Sequence, residues 1–326
     1  MLTDKQKIYY IVIDGLDENW VEEKLRYKLI KGLVLTAREF IGIPNVKILI
    51  ALCRDLIDRV FFLTRDSGFQ EEKYQGLYLP LVWNKKDILE VLDQRVCQLV
   101  RRRYTNKQVR YTDLLPQEYK GVAIEDFIFS VANRPRDVIA FFNTCIHAAI
   151  DKTRLTKREF TRAIGEYSRI RLGALADEWY AEYPNLLDFA EVLNGRQSSF
   201  KADNIAHKDI EELYLEIVVE NPNGNGSLLK HASFLVENYG SHDDFRVTLL
   251  RVFYRVGLVG LKTSTDMSAS WVDDTGQSVS RGQIDENTSV VVAPKYAYAL
   301  GVEAQQRSQA LPDAISCEVA STSGTA

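Results

Sequence analysis

Residues 8–20 read IYYIVIDGLDENW, and this segment gives the strongest indication of the fold class. Its first six residues are apolar or favour strands, which is typical of a parallel strand buried on both faces. Asp14 follows the strand directly, and Asp17 and Glu18 come shortly after it. Ligands of α/β proteins bind beyond the carboxyl ends of parallel strands, so these three acids form a candidate site. The alternative interpretation is an acidic turn after an edge strand.

Composition restricts the class of protein. The chain has 326 residues, of which 46% are hydrophobic and 26% are charged, as in a soluble globular protein of about two domains. The net charge of −4 provides no overall basic footprint for nucleic acid. The four cysteines lack C-x-x-C spacing, which argues against a zinc site and a disulfide framework. No signal segment or membrane-length apolar run is present, so we expect a cytoplasmic protein without a membrane partner.

The first part of the chain alternates between strand and helix patterns. Residues 22–41 predict a helix, and residues 46–52 predict a second fully apolar strand. Residues 78–83 (YLPLVW) predict a third strand, which Pro80 would confine to a sheet edge.

The sequence becomes helical after residue 83. Asn84 is a suitable N-cap for the first of these helices. Thr156, with Glu159 three residues on, predicts a capping box at the start of a long helix. Further helical segments are expected at about 123–132, 135–150, 207–218, 227–238 and 243–256.

The last helix precedes a predicted hairpin. Residues 261–294 contain two extended stretches around a polar tip, so the order is helix, strand and wing, as in a winged helix. Arg246, Arg251 and Arg255 lie near one face of the helix and could contact DNA. The surrounding acids oppose a polyanion. We therefore expect these arginines to pair with acids such as Asp243 and Glu237, or with a helical lid that precedes them, and to leave no free cationic stripe.

The segment IVIDGLDENW resembles the Walker B segment of bacterial STAND/AAA-like P-loop ATPases, in which an apolar strand ends in D-G-[apolar]-D-[ED]. This resemblance implies that Asp14 is the magnesium ligand and that Asp17 and Glu18 are the catalytic carboxylates. A triphosphate enzyme needs a hard oxygen ligand for magnesium and a carboxylate that orients the attacking water. Either later acid could be the catalytic base.

The resemblance continues in order to about residue 180. The segment KILIALCRD resembles the next core strand, with Arg54 at the sensor-1 position. The segment YLPLVWNKKDILEVLDQRV resembles the last core strand and the first lid helix, and NRPRD resembles a sensor-2 element that carries Arg136. The alternatives are a surface pair between Arg54 and a neighbouring acid and, for Arg136, a helix start without a ligand.

The phosphate-binding half of such an ATPase is missing from the sequence. The pattern G-x-x-x-x-G-K-[ST] does not occur, and the sequence contains no Gly-Lys dipeptide. In the family, the strand that leads into the P-loop lies between the last core strand and the sensor-1 strand. We therefore expect an open apolar sheet edge, in a fragment, in a split protein or in a decayed ATPase.

The expected fold is α/β plus α, with a partial P-loop NTPase core of the ASCE type, a helical lid and a C-terminal winged helix. The predicted regions are a partial core (1–83), a helical lid with following helices (84–184), a helical region with the winged helix (185–302) and a disordered tail (303–326).

The function implied by the resemblance is a regulatory, nucleotide-dependent switch that is inactive until a P-loop segment completes it. Its cofactors would be Mg²⁺ and ATP. Its partner would be the N-terminal P-loop half, in cis or in trans, and a homo-oligomer is left open. The alternative function is a DNA-binding winged-helix regulator with a vestigial ATPase remnant, and nucleic acid is the less favoured partner.

Overall fold

The chain divides into two compact units, residues 1–82 and residues 83–326. The structure is a computed structural model that describes residues 7–18, 20–53, 56–57, 60–61, 64, 76–103, 106–152, 155–220, 224, 226–237, 241–263, 268–272 and 279–303. Nearly all of the predicted disordered tail, like most of the wing tip, lies outside these residues.

The first unit contains a β-α-β crossover. Strand β1 (Tyr9–Ile13) leads through helix α1 (Glu23–Glu39) and a short 3₁₀ helix (Phe40–Gly42) to strand β2 (Val46–Ile50). The two strands pair in parallel, and a parallel pair requires such a crossover connection. The predictions of two strands and the connecting helix are confirmed, with ends that differ by a few residues.

A small core stabilises this unit. Tyr27 and Ile30 of α1 are buried against Leu56, Val60 and Phe61, which follow β2. The other side of α1 exposes leucines, so the helix is apolar on more than the face that it buries.

The predicted third strand is wrong. Residues 78–83 have no regular secondary structure, and Leu79 and Leu81 are 81% and 87% exposed. In the described part of the chain, β1 and β2 pair only with each other. A strand forms when a neighbouring strand satisfies its backbone groups, and no described strand pairs with residues 78–83.

The second unit begins with a helical half. It contains α2 (Lys85–Arg103), α3 (Tyr111–Leu114), the hairpin of β3 (Glu118–Tyr119) and β4 (Val122–Ala123), α4 (Ile124–Val131), α5 (Pro135–Ala148) and α6 (Lys157–Trp179). The Asn84 side chain accepts a hydrogen bond from the Asp87 N–H at 2.9 Å, which confirms the predicted N-cap.

Aromatic side chains fill the core of this half. The ring of Phe141 lies edge-on to those of Phe160 and Tyr167, with centroids 5.8 and 5.2 Å apart. Burial raises the pKa of Tyr167, and the nearby charge of Asp137 adds to the effect.

The predicted capping box at the start of α6 is confirmed. The Glu159 carboxylate accepts hydrogen bonds from the Lys152 ammonium and from the Thr156 hydroxyl. The hydrogen bond from Lys152 has the largest effect on the carboxyl group and the bond from Thr156 the next largest, and they lower the pKa of Glu159 to about 2.

The rest of the second unit combines helices with a small sheet. Its elements are α7 (Leu186–Ala190), β5 (Ser199–Lys201), α8 (His207–Glu220), α9 (Ser227–Val236), α10 (His242–Arg255), β6 (Val259–Lys262), β7 (Ser289–Val292) and α11 (Pro294–Ala297). Strands β6 and β7 pair antiparallel. The predicted hairpin is confirmed only for its second strand, because its first strand was expected at 268–272, where Ser270 forms an isolated antiparallel bridge with Leu261. Strand β5 pairs with β7 and has only three residues, too few for a pattern to reveal it.

Helix α6 is shared by both halves of this unit. Its first part contributes Phe160 to the aromatic core, and Leu175 near its end belongs to the second core. The segment after α11 packs back on it, because the Ala299 N–H donates to the Ser168 hydroxyl at 3.0 Å. A Cβ atom on Gly165 would lie only 2.5 Å from the ring of Tyr298, so this close approach requires glycine.

The protein is thus a mixed α/β protein that is mostly helical. Within the described residues, every helix is too short or too polar to cross a membrane.

Candidate functional site

The three predicted acids lie in an exposed turn at the carboxyl end of β1. The Asp14 carboxylate accepts a hydrogen bond from the Gly15 N–H at 2.8 Å, and the Glu18 N–H donates to the Gly15 carbonyl at 3.3 Å. Gly15 has a φ of 75°, a left-handed conformation that glycine adopts without steric cost. Asp14, Asp17 and Glu18 are all exposed, so their carboxylates are accessible to a ligand.

The end of β2 lies beside this turn. The Cys53 thiol donates to the Asp17 carboxylate, with Sγ and Oδ2 3.7 Å apart. Parallel pairing explains the contact, because it brings the carboxyl ends of β1 and β2 to one edge. Arg54, the predicted sensor 1, lies outside the described residues, although the preceding residue is in the site.

An arginine that sequence reasoning missed holds the turn in place. The Arg26 guanidinium is buried and donates from one nitrogen to the carbonyls of Asp17 and Glu18, at 3.1 and 3.0 Å. Arg26 lies in the first turn of α1, where a cation is unfavourable to the helix dipole. The unfavourable position of this arginine near the start of a helix is the sequence feature that could have indicated a nearby hydrogen-bond acceptor.

Arg136, the predicted sensor 2, belongs to the second unit, whereas the acids belong to the first. It is exposed in the first turn of α5, next to Pro135. Its neighbour Asp137 is 4% exposed, and the Asp137 carboxylate lies 3.3 Å from the guanidinium of Arg171 on α6. This pair of a buried carboxylate and a partly exposed guanidinium ties the turn that carries Arg136 to α6.

The acid turn fits a magnesium ion in part. Magnesium prefers oxygen ligands and is usually held by one or two carboxylates together with waters and substrate phosphates. Asp14 and Asp17 supply such exposed oxygens. Throughout the described ranges, no group of three or more His, Cys, Asp or Glu side chains is placed to hold a metal ion. A ligand set of carboxylates and phosphates suits this turn better than a cage of protein side chains.

The arginines of α10 are engaged within the protein. Arg246 is buried and pairs with Asp243 at 2.9 Å, as predicted. The Arg251 guanidinium donates to the Val279 carbonyl at 3.0 Å. The expected partner Glu237 instead accepts from the Ser233 hydroxyl at 3.0 Å, in α9.

Arg255 joins α10 to the end of the helical half. Its guanidinium pairs with Glu182 at 3.1 Å and donates to the Tyr183 hydroxyl at 3.0 Å. The same group lies 5.3 Å from the ring centroid of Trp179, a cation–π distance. Arg255 therefore contacts residues within the region 84–184, in which the lid was predicted.

One family model matches part of the chain. Residues 86–176 match a family described as a FunZ-associated C-terminal helical domain. The match runs from the first turn of α2 nearly to the end of α6, and it falls within the predicted region 84–184. Neither a curated protein nor a solved structure matches the chain.

Proposed function

We propose that the chain is the C-terminal part of a regulatory P-loop ATPase of the STAND/AAA-like kind. In this proposal the protein is a nucleotide-dependent switch that becomes active when a P-loop segment completes it. The observation that carries the proposal is the contact between Asp17 and Cys53. It joins the acid turn after β1 to the residue before Arg54, at the edge of a parallel pair where nucleotides bind in α/β proteins.

The roles of the residues follow from their places in the turn. Asp14 comes directly after β1 and would hold Mg²⁺, and Asp17 or Glu18 would orient the attacking water and accept its proton. Bound Mg²⁺ would neutralise charge on the β- and γ-phosphates of ATP. Arg26 keeps the turn in one conformation by binding two of its carbonyls.

Arg54 and Arg136 would sense the nucleotide in the completed protein. A guanidinium is always charged and binds phosphate in a fixed geometry, which suits a sensor. Arg136 is exposed in the first turn of α5, which the partly buried pair of Asp137 and Arg171 anchors to α6. The matched family is described as a helical domain, which agrees with the helices of this region.

A winged helix after the lid would act as a relay. The connections that support this role are the shared helix α6, the contact of Gly165 with Tyr298 and the pair of Arg255 with Glu182. Movement of the helical half would change these contacts. The alternative, a DNA-binding winged helix, is less favoured because Arg246, Arg251 and Arg255 already have partners within the protein.

The test is nucleotide turnover with and without a P-loop segment. We expect residues 1–326 to hydrolyse ATP at a negligible rate with magnesium, because the backbone cradle and the P-loop lysine supply most phosphate contacts. Adding a polypeptide that carries G-x-x-x-x-G-K-[ST], encoded upstream or nearby, should restore turnover. Asp14→Ala should abolish it, whereas Glu39→Ala, an exposed acid at the end of α1, should not.

Two results would contradict the proposal. One is ordinary ATPase turnover by residues 1–326 alone that is lost on Asp14→Ala, which would show that the chain needs no P-loop segment. The other is turnover of the mixture that Asp14→Ala leaves unchanged, which would place the active site elsewhere.

A further inference from the structure

One face of the β1–β2 pair carries exposed apolar side chains in the part of the chain that the structure describes. Ile8, Tyr10 and Val12 alternate along the chain and therefore point to the same side of the strand. Val12 lies opposite Leu49 of β2 in the parallel register. The four side chains, which we call the bare face, are 59%, 64%, 67% and 50% exposed.

The opposite face of the same strands is better covered. Val46 is buried, and Tyr9, Ile13, Ile48 and Ile50 are half-buried. Ile11 is the most exposed of this set at 41%, which is still less than any residue of the bare face. The two faces belong to the same strands with the same ends, so a short or frayed sheet does not explain why the side chains of one face are more exposed than those of the other.

Physical chemistry predicts a cover for such a face. Parallel strands occur almost only in sheets with helices on both faces, because their connections cross over the sheet. Contiguous exposed apolar side chains with a polar neighbour mark an interaction surface. The occupant expected on a parallel sheet is therefore a helix.

The charge at the centre of the face indicates the chemistry of that helix. Exposed Lys47 lies opposite Tyr10 in the register and shares the side of the sheet that carries Leu49. A helix with a carboxylate beside its apolar stripe would pair with this ammonium. A second copy of the chain would instead bring another Lys47 to the same small face, and like charges disfavour that contact.

We propose that the bare face is a docking surface for an acidic amphipathic helix of a partner polypeptide. Its apolar stripe covers Tyr10, Val12 and Leu49, and its carboxylate pairs with Lys47. The proposal depends on the packing of β1 and β2 and not on nucleotide chemistry, so it stands or falls apart from the ATPase assignment.

The experiment uses the full chain and two synthetic amphipathic helices. Both peptides carry the same leucine stripe, and one has glutamate where the other has lysine beside that stripe. Fluorescence anisotropy should show that the glutamate peptide binds about fivefold more tightly, as expected of an exposed ion pair exchanged for a repulsion. Lys47→Glu should reverse the preference, and Val12→Asp should weaken binding of both peptides.

Control variants distinguish peptide binding at the bare face from nonspecific binding to exposed apolar side chains. Val219 is 79% exposed in the second unit, so Val219→Asp removes an equally exposed apolar side chain and should leave binding unchanged. Circular dichroism of each variant checks folding, and Lys47→Glu provides a reversal that a misfolded variant would not give.

Several results would overturn the proposal. They are equal binding of the two peptides, no binding of either, or binding that Val12→Asp does not affect. A dimer in light scattering that Val12→Asp dissociates would identify a second copy as the occupant. A photo-crosslinker placed at Val12 that reacts with residues 83–326 of the same monomer would show that the chain covers its own face.

Discussion

Replacing Arg171 with methionine should destabilise the second unit, because the Asp137 carboxylate would stay buried without its partner. The two charged groups lie 3.3 Å apart, and Asp137 is 4% exposed. At this distance their attraction is about 5 kcal/mol for an effective dielectric constant of about 20, before the cost of desolvation. Removing one partner of a buried pair costs about 3–5 kcal/mol. The Arg171 side chain is 24% exposed, so we expect the lower end of that range.

Urea unfolding followed by far-UV circular dichroism measures this change in the free energy of unfolding. The matched control is Arg169→Met, which removes an exposed arginine from the same helix and should change the free energy by less than about 0.5 kcal/mol. The double variant Asp137→Ala, Arg171→Met should lose less than the sum of the single losses, with a coupling of about 2 kcal/mol.

Two results would refute this reasoning. A loss of less than about 1 kcal/mol for Arg171→Met would place the pair among exposed salt bridges, whose contributions lie in that range. Additive single losses would show that the two side chains do not interact. Either result would also remove the argument that the pair holds the turn with Arg136 against α6.

Three further predictions concern pH, the acid turn and DNA. The hydrogen bonds of the folded state lower the pKa of Glu159 from 4.5 to about 2. The ionised carboxylate therefore contributes fully to the free energy of unfolding above pH 4.5, and this contribution is lost as the pH falls towards 2. Glu159→Gln should remove this part of the pH dependence when the free energy of unfolding is measured between about pH 5 and about pH 2. In a protein completed by its P-loop, Asp14→Ala should weaken magnesium-dependent nucleotide binding. Asp17→Asn or Glu18→Gln should leave nucleotide binding unchanged and slow ATP hydrolysis. Full ATPase activity of all three variants would reject the site assignment. Duplex DNA should bind no more tightly than about 10⁻⁶ M at physiological salt, and nanomolar binding that Arg251→Ala abolishes would favour the DNA-binding alternative.

Local patterns predicted most elements of regular structure. The apolar runs before Asp14 and after residue 45 became β1 and β2, and the capping box at Thr156 marked the start of α6. These features depend on a few neighbouring residues, which a sequence displays directly. The stretch 78–83 has an equally apolar pattern and is not a strand. Its pairing depends on a neighbour that the local pattern does not reveal.

The sequence likewise predicted one part of the candidate site and did not reveal the other. The sequence placed Asp14, Asp17 and Glu18 at a strand end, and the structure has them in one exposed turn. It did not reveal that Arg26 binds the carbonyls of that turn, or that Cys53 contacts Asp17. The first contact depends on how α1 returns past the strand, and the second depends on the pairing of β1 with β2.

Periodicity and end caps act over a few residues, so local sequence patterns predicted where most helices and strands form. Which charged groups meet, which face of the β1–β2 pair is exposed, and which partners the arginines of α10 bind all depend on the packing of these elements. These outcomes join residues far apart in the chain. Their free energies depend on burial and distance, and both quantities exist only once the elements have packed.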